Sequence, residues 1–121
     1  MRRAHRGLQV WRESMALVED VYAVTTNFPV AEQYGLTIQM RRAAVSIPSN
    51  IAEGAARINR KEFLQFVSIA SGSLSELDTH VEIAVRLGYI KDSDALQRRI
   101  DYLFALLVGL TKSLRNEVAR K

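Results

Sequence analysis

Residues able to do chemistry are few and poorly arranged for catalysis. His80 follows Glu76 by four positions, which stacks the two on one helix face as an acid–base pair or a plain i, i+4 contact. Ser46, Ser49, Ser71, Ser73 and Ser75 lack the glycine-flanked elbow that presents a serine nucleophile. The other histidine is His5, and no Glu-x-x-His occurs, so neither zinc nor a di-iron centre has its ligand spacing. Without cysteine there are no disulfides, thiolate metal sites or thiol nucleophiles. No glycine-rich phosphate loop is present. The chain is not expected to be an enzyme, and no metal or cofactor is expected; a helical enzyme would need Glu53 or the Glu76–His80 pair to converge in a pocket.

Charge is the stronger signal. Arg41, Arg42, Arg57, Arg60 and Lys61 face only one acid, Glu53, between positions 41 and 61, a pattern suited to phosphate contacts. The net charge of +4 belongs largely to the ends: without Arg2, Arg3, Arg6, Arg120 and Lys121 the body has 12 basic and 13 acidic residues. The basicity is therefore local, and a solvated helix face is the plainer explanation. No exposed aromatic side chain is evident beside these arginines, which argues against specific single-strand recognition.

These groups must be carried by helices. Apolar residues recur at helical spacing through 121 residues, enough for a single domain. No apolar run approaches the length of a membrane span or signal core, so a cytoplasmic protein is expected. Residues 1–7 form a basic leader expected to be flexible, and residues 8–119 the domain. The first helix spans 8–28 and stops at Phe28-Pro29, because the residue before proline leaves the α region. It has two stripes: Trp11, Met15, Val18, Tyr22, Thr25, and Val10, Leu17, Val21, Val24, Phe28.

The second helix runs from Glu32 or Leu36 to Ala55. Leu36, Met40, Ala43, Ile47 and Ile51 form its main stripe; Ile38, Val45 and Ala52 lie nearly opposite, and Arg42, Ser46, Ser49 and Glu53 stack on a flank between. Pro48 cannot donate to the Ala44 carbonyl, so a kink is predicted, with Ser46, Ser49 or Asn50 bonding the freed backbone. Asn59 opens the third helix with Glu62 in capping-box register, and Gly88 closes it. Small residues at 70–73, including Gly72, suggest a close backbone approach. Asp92 or Ser93 begins the fourth helix, whose seam of Leu96, Ile100, Leu103, Leu107, Leu110 and Leu114 continues toward Val118. Short connections predict an all-α, antiparallel up-down-up-down four-helix bundle. Helices one to three carry apolar residues beyond a single seam, and monomers rarely expose so much, so a homo-oligomer is expected.

The string "YGLTIQMRRAAVSIPSNIAEGAAR" (Tyr34–Arg57), followed by "EFLQFVSIASGSLSELDTHVEIAVRLGYI" (Glu62–Ile90), resembles the four-helix bundle proteins encoded in intervening sequences of bacterial 23S ribosomal RNA genes. "VWRESMALVEDVY" (Val10–Tyr22) and Phe28-Pro29 look like that family's first helix, and the likeness extends over residues 8 to 115. It implies a cytosolic bundle forming a ring-like homopentamer, with ribosomal or other structured RNA as partner. A related branch, the accessory variability protein of diversity-generating retroelements, uses a basic pentamer to partner a reverse transcriptase; the near-neutral body here departs from it and argues against that partner. The matching motif positions are Arg41, Arg42, Ser46, Pro48, Ser49, Asn50, Glu53, Gly54 and Arg57. One reading has Ser46, Pro48, Asn50 and Gly54 shaping a kinked helix for close packing, with Arg42 and Glu53 paired. The other has Arg41, Arg42, Arg57, Arg60 and Lys61 holding phosphates, repeated by symmetry. The expectation is thus a non-enzymatic RNA-associated oligomer, or alternatively a protein-interaction scaffold without direct nucleic-acid binding.

Overall fold

The computed structural model describes residues 3–120. A 3-10 turn (Ala4–Gly7) precedes α1 (Gln9–Thr25), and a second one (Val30–Glu32) precedes α2 (Leu36–Ala55); α3 (Arg60–Arg86) and α4 (Asp94–Ala119) complete the fold. There is no strand among the described residues. Met1 and Arg2 of the basic leader lie outside them, and the leader's 3-10 turn sits with His5 edge-on to Trp11, centroids 5.0 Å apart.

Local chemistry sets the helix ends. α1 stops three residues before Phe28, earlier than the Phe-Pro pair predicts. Thr25 and Thr26 turn their hydroxyls back to the carbonyls of Val21 and Tyr22, at 2.7 and 2.8 Å, a bonding habit that competes with helix continuation. The start of α2 is fixed by Glu32, whose Oε1 accepts the Leu36 N–H at 3.1 Å and whose Oε2 accepts the Tyr89 hydroxyl at 2.9 Å. Asn59 Oδ1 caps α3 through the Lys61 N–H at 2.8 Å. Gly88 follows α3 with φ of 80°, in the left-handed region that favours glycine. At α4 the N-cap is Ser93, yet Asp92 Oδ1 takes the Asp94 N–H.

Each helix packs on two neighbours, α2 on α1 and α3, and α4 on α3 and α1, with no close backbone approach across either diagonal among the described residues. Leu17 and Val21 of α1, Met40, Ile47 and Ile51 of α2, Leu74, Leu77 and Val81 of α3, and Ile100 and Leu103 of α4 meet in one dry core. The α2–α3 seam is the most extensive, and the two helices come close at Gly54. A Cβ there would come within 2.7 Å of Phe63 Cδ1 and 2.8 Å of Phe66 Cβ. The close approach expected at Gly72 is absent, because Gly72 turns to open space and Ala70 supplies the buried contact instead.

Of the two α1 stripes, the one through Val10, Leu17 and Val21 enters the core. In the other, only Thr25 is buried, while Met15 and Tyr22 stay about 40% exposed. Val45 on α2 and Ile69, Ile83 and Leu87 on α3 are likewise exposed, as are Tyr102 and Val108 on α4. The surplus apolar surface therefore extends to the fourth helix, which reads as a single seam from sequence.

Candidate nucleic-acid interface

The motif around Pro48 is mainly a packing device. Pro48 is buried inside an unbroken α2. Ser46 Oγ lies 2.9 Å from Ser73 Oγ across the α2–α3 seam, and the Asn50 amide donates to both Ser46 O (2.8 Å) and Ser46 Oγ (3.0 Å). Ser49 donates to Val45 O at 2.8 Å. These groups bond the carbonyls of Val45 and Ser46 rather than that of Ala44, the one Pro48 cannot serve. Proline removes a donor at one position, but the side chains that follow it reach their own i−4 carbonyls. Arg42 and Glu53 do not pair, being eleven positions and about 16 Å of helix rise apart. Arg42 borders a polar recess with Ser46, Ser73 and Glu76, whereas exposed Glu53 borders another beside Ala4 and His5.

His80 is buried, with its Nδ1 unpartnered and its Nε2 3.8 Å from the Glu76 carboxylate. Burial lowers its pKa more than the nearby Glu76 raises it. Glu76 borders the recess beside Arg42, which His80 does not line, and Glu53 borders a separate one. Among the described residues no group of three or more His, Asp or Glu side chains is placed to hold a metal.

The five basic residues occupy three places. Arg57, Arg60 and Lys61 gather at the α2–α3 connection next to fully exposed Ile58. Arg60 is already engaged, 3.0 Å from Glu117 at the end of α4; Arg57 and Lys61 are exposed and form no ion pair among the described residues. Arg42 lies mid-helix above the α2–α3 seam. Arg41 sits at the α1–α2 joint, its Nε–H donating to Thr25 Oγ1 at 2.9 Å and its guanidinium 4.5 Å from the centre of the Tyr22 ring. Arg57 likewise rests on Phe66, at 5.1 Å.

Aromatic rings do accompany the arginines, but Phe63 is buried and Phe66 half-buried, so of the three rings only Tyr22 offers the exposed one that the sequence does not predict. Tyr22 comes to Arg41 from α1 and Phe66 to Arg57 from α3, whereas Phe63 lies beside Arg60 on the same helix, three positions on. Contact between elements reveals the first two, while the i, i+3 spacing of Arg60 and Phe63 is local.

The 23S rRNA-intervening sequence protein family matches residues 6–109, which takes in α1 to α3 and more than half of α4. The chain belongs to that family. Comparison with curated proteins found no match. Within this 23S rRNA-intervening sequence protein, all five candidate basic residues and the whole Pro48 motif fall inside the matched span, while Glu117 falls beyond it. No helix among the described residues is long and apolar enough to cross a membrane.

Proposed function

We propose that this 23S rRNA-intervening sequence protein is a non-enzymatic, cytoplasmic bundle that assembles with copies of itself and holds structured RNA by its phosphates. The observation that carries the reading is the pair Arg57 and Lys61, exposed at the α2–α3 connection with no carboxylate taking their charge among the described residues. Arg42 adds a third such cation, whereas Arg60 is half-committed to Glu117 and Arg41 to its Thr25–Tyr22 seat. A few phosphate contacts per chain, repeated by symmetry, bind a polyanion through avidity.

The architecture in this reading is antiparallel, up-down-up-down, with a bend in α2 at Pro48. Pairs whose numbers run in opposite senses support it: Gln9 with Tyr102 and Glu13 with Arg99, and Ser46 with Ser73 where Gly54 meets Phe63. A five-membered ring is the assembly that the resemblance implies. The near-neutral body disfavours a reverse-transcriptase partner.

The decisive experiment is RNA affinity against salt for wild type and for Arg42→Glu/Arg57→Glu/Lys61→Glu. These three side chains are exposed, so reversal leaves the fold intact. Binding should be abolished at moderate salt. Replacing the residues one at a time by glutamine should flatten the log–log salt slope by about 0.7–0.9 for each phosphate no longer neutralised. Unchanged affinity in the triple variant refutes the reading.

The exposed apolar residues of α1, α2 and α3 favour a second one, a scaffold for another polypeptide. A partner that stays bound after nuclease digestion, with the triple variant as well as wild type, would select it.

A further inference from the structure

We infer that the recess at the α1–α2 connection binds the phosphate of a ribonucleotide, with the Arg41 guanidinium as its fork. The inference rests on the RNA reading for the polymeric source of that phosphate, and on the recess alone for its chemistry.

Arg41 is held from two sides. Thr25, 3% exposed, donates its hydroxyl hydrogen to Val21 O and so keeps its oxygen as an acceptor for Arg41 Nε–H. Tyr22 covers one face of the guanidinium. Those contacts use Nε and one π face, and leave the terminal N–H donors for a ligand. Arg60, Arg86 and Arg99 each meet a carboxylate; Arg41 meets none among the described residues. An arginine fixed in this way loses little rotamer freedom on binding, and its planar fork matches phosphate oxygens.

The recess encloses about 290 Å³, near the lower end of small-ligand sites. Arg41, Thr26, Thr37 and Gln33 supply its polar lining, with Pro29 and Val30 among the apolar residues, and no acidic residue borders it. Glu32, the nearest acid in sequence, spends both carboxylate oxygens on Leu36 N–H and the Tyr89 hydroxyl. Thr26 donates its hydroxyl hydrogen to Tyr22 O, so its oxygen remains an acceptor that suits a ribose hydroxyl. Val30, 85% exposed, adds apolar surface to this lining, and Tyr34, 88% exposed, follows Gln33 in sequence.

The test is a titration of the full chain with 15N-labelled arginine, following the Arg41 Nε–H resonance, identified by its loss in Arg41→Lys. Uridine 5′-monophosphate and a short single-stranded RNA should move it, and uridine without phosphate should not. Arg41→Lys keeps the charge but loses the fork and the Thr25 bond; measured by calorimetry, since its own resonance is gone, it should bind the mononucleotide about tenfold more weakly than wild type. Thr25→Val should weaken binding less, and Arg115→Gln, exposed on α4 away from the recess, should leave it unchanged. A resonance unmoved by millimolar mononucleotide in wild type, or wild-type affinity in Arg41→Lys, overturns the inference. The arms also separate the two readings. If the mononucleotide binds at Arg41 but RNA does not bind, the site stands as one for free nucleotides and the RNA reading falls. If RNA binds and depends on Arg57 and Lys61 while Arg41 stays silent, this site falls and the RNA reading stands.

Discussion

His80 places a titratable ring in a largely buried position. In the unfolded chain the imidazole takes its proton near pH 6.5; in the fold, burial lowers that pKa. Between the two values the unfolded state binds the extra proton, so acid favours unfolding there. Its contribution is complete above about pH 6.5 and is lost as the pH falls toward the folded value. The melting temperature of wild type should decline as pH drops below 6.5, before the carboxylates titrate, and His80→Leu should flatten that part of the profile. Gly54 gives a second residue-scale prediction. Phe63 can swing its ring away from a new methyl group, but Phe66 Cβ is fixed to the backbone 2.8 Å away. Gly54→Ala should cost about 1–3 kcal/mol by overpacking the α2–α3 seam, measurable by urea unfolding. The importance of Gly54 is visible in sequence only as part of a motif; its reason is two phenylalanines on another helix.

Among the elements, the seams were readable because burial follows the helical period. Leu36, Met40, Ala43, Ile47 and Ile51 all face inward, and along α3 so do Phe63, Val67, Ala70, Leu74, Leu77, Val81 and Ala84. Phe66 and Val85 of the same helical stripe, and Leu110 of the α4 seam, are only half-buried. Ends were less readable. The Phe28-Pro29 pair announces a stop, but the hydroxyls of Thr25 and Thr26 end α1 sooner, and Glu32 caps α2 from a separate 3-10 turn. At Asn59 the capping residue stands directly before its helix and the sequence signal holds, whereas Ser93, equally placed before α4, makes no side-chain cap and Asp92 bonds there instead. Asn59→Ala should destabilise α3 by about 1 kcal/mol, read as a lower denaturant midpoint with an unchanged slope. The same distinction separates the candidate site residues. Arg57, Arg60 and Lys61 cluster because a short turn joins α2 to α3, whereas Arg41 finds Thr25 sixteen positions away, a pairing no local pattern encodes.

At the scale of the molecule, the unburied apolar side chains of Met15, Tyr22 and Val45 are the feature a single chain leaves unresolved. If copies dock through them, sedimentation at low micromolar concentration should give a mass near five times the 13.6 kDa chain, and Met15→Glu with Val45→Glu should return it toward one. A monomeric wild type would remove both the ring and the multiplied phosphate grip. The Arg60–Glu117 contact has a bearing on the same assembly. It ties the basic corner to the last turn of α4, so the acid that tempers that corner hangs on the final stretch of the chain, outside the span shared with the family. Proteolytic trimming before Glu117 would leave a shorter bundle with a bare Arg60, and this clipped form should cling to RNA more tightly than the intact one.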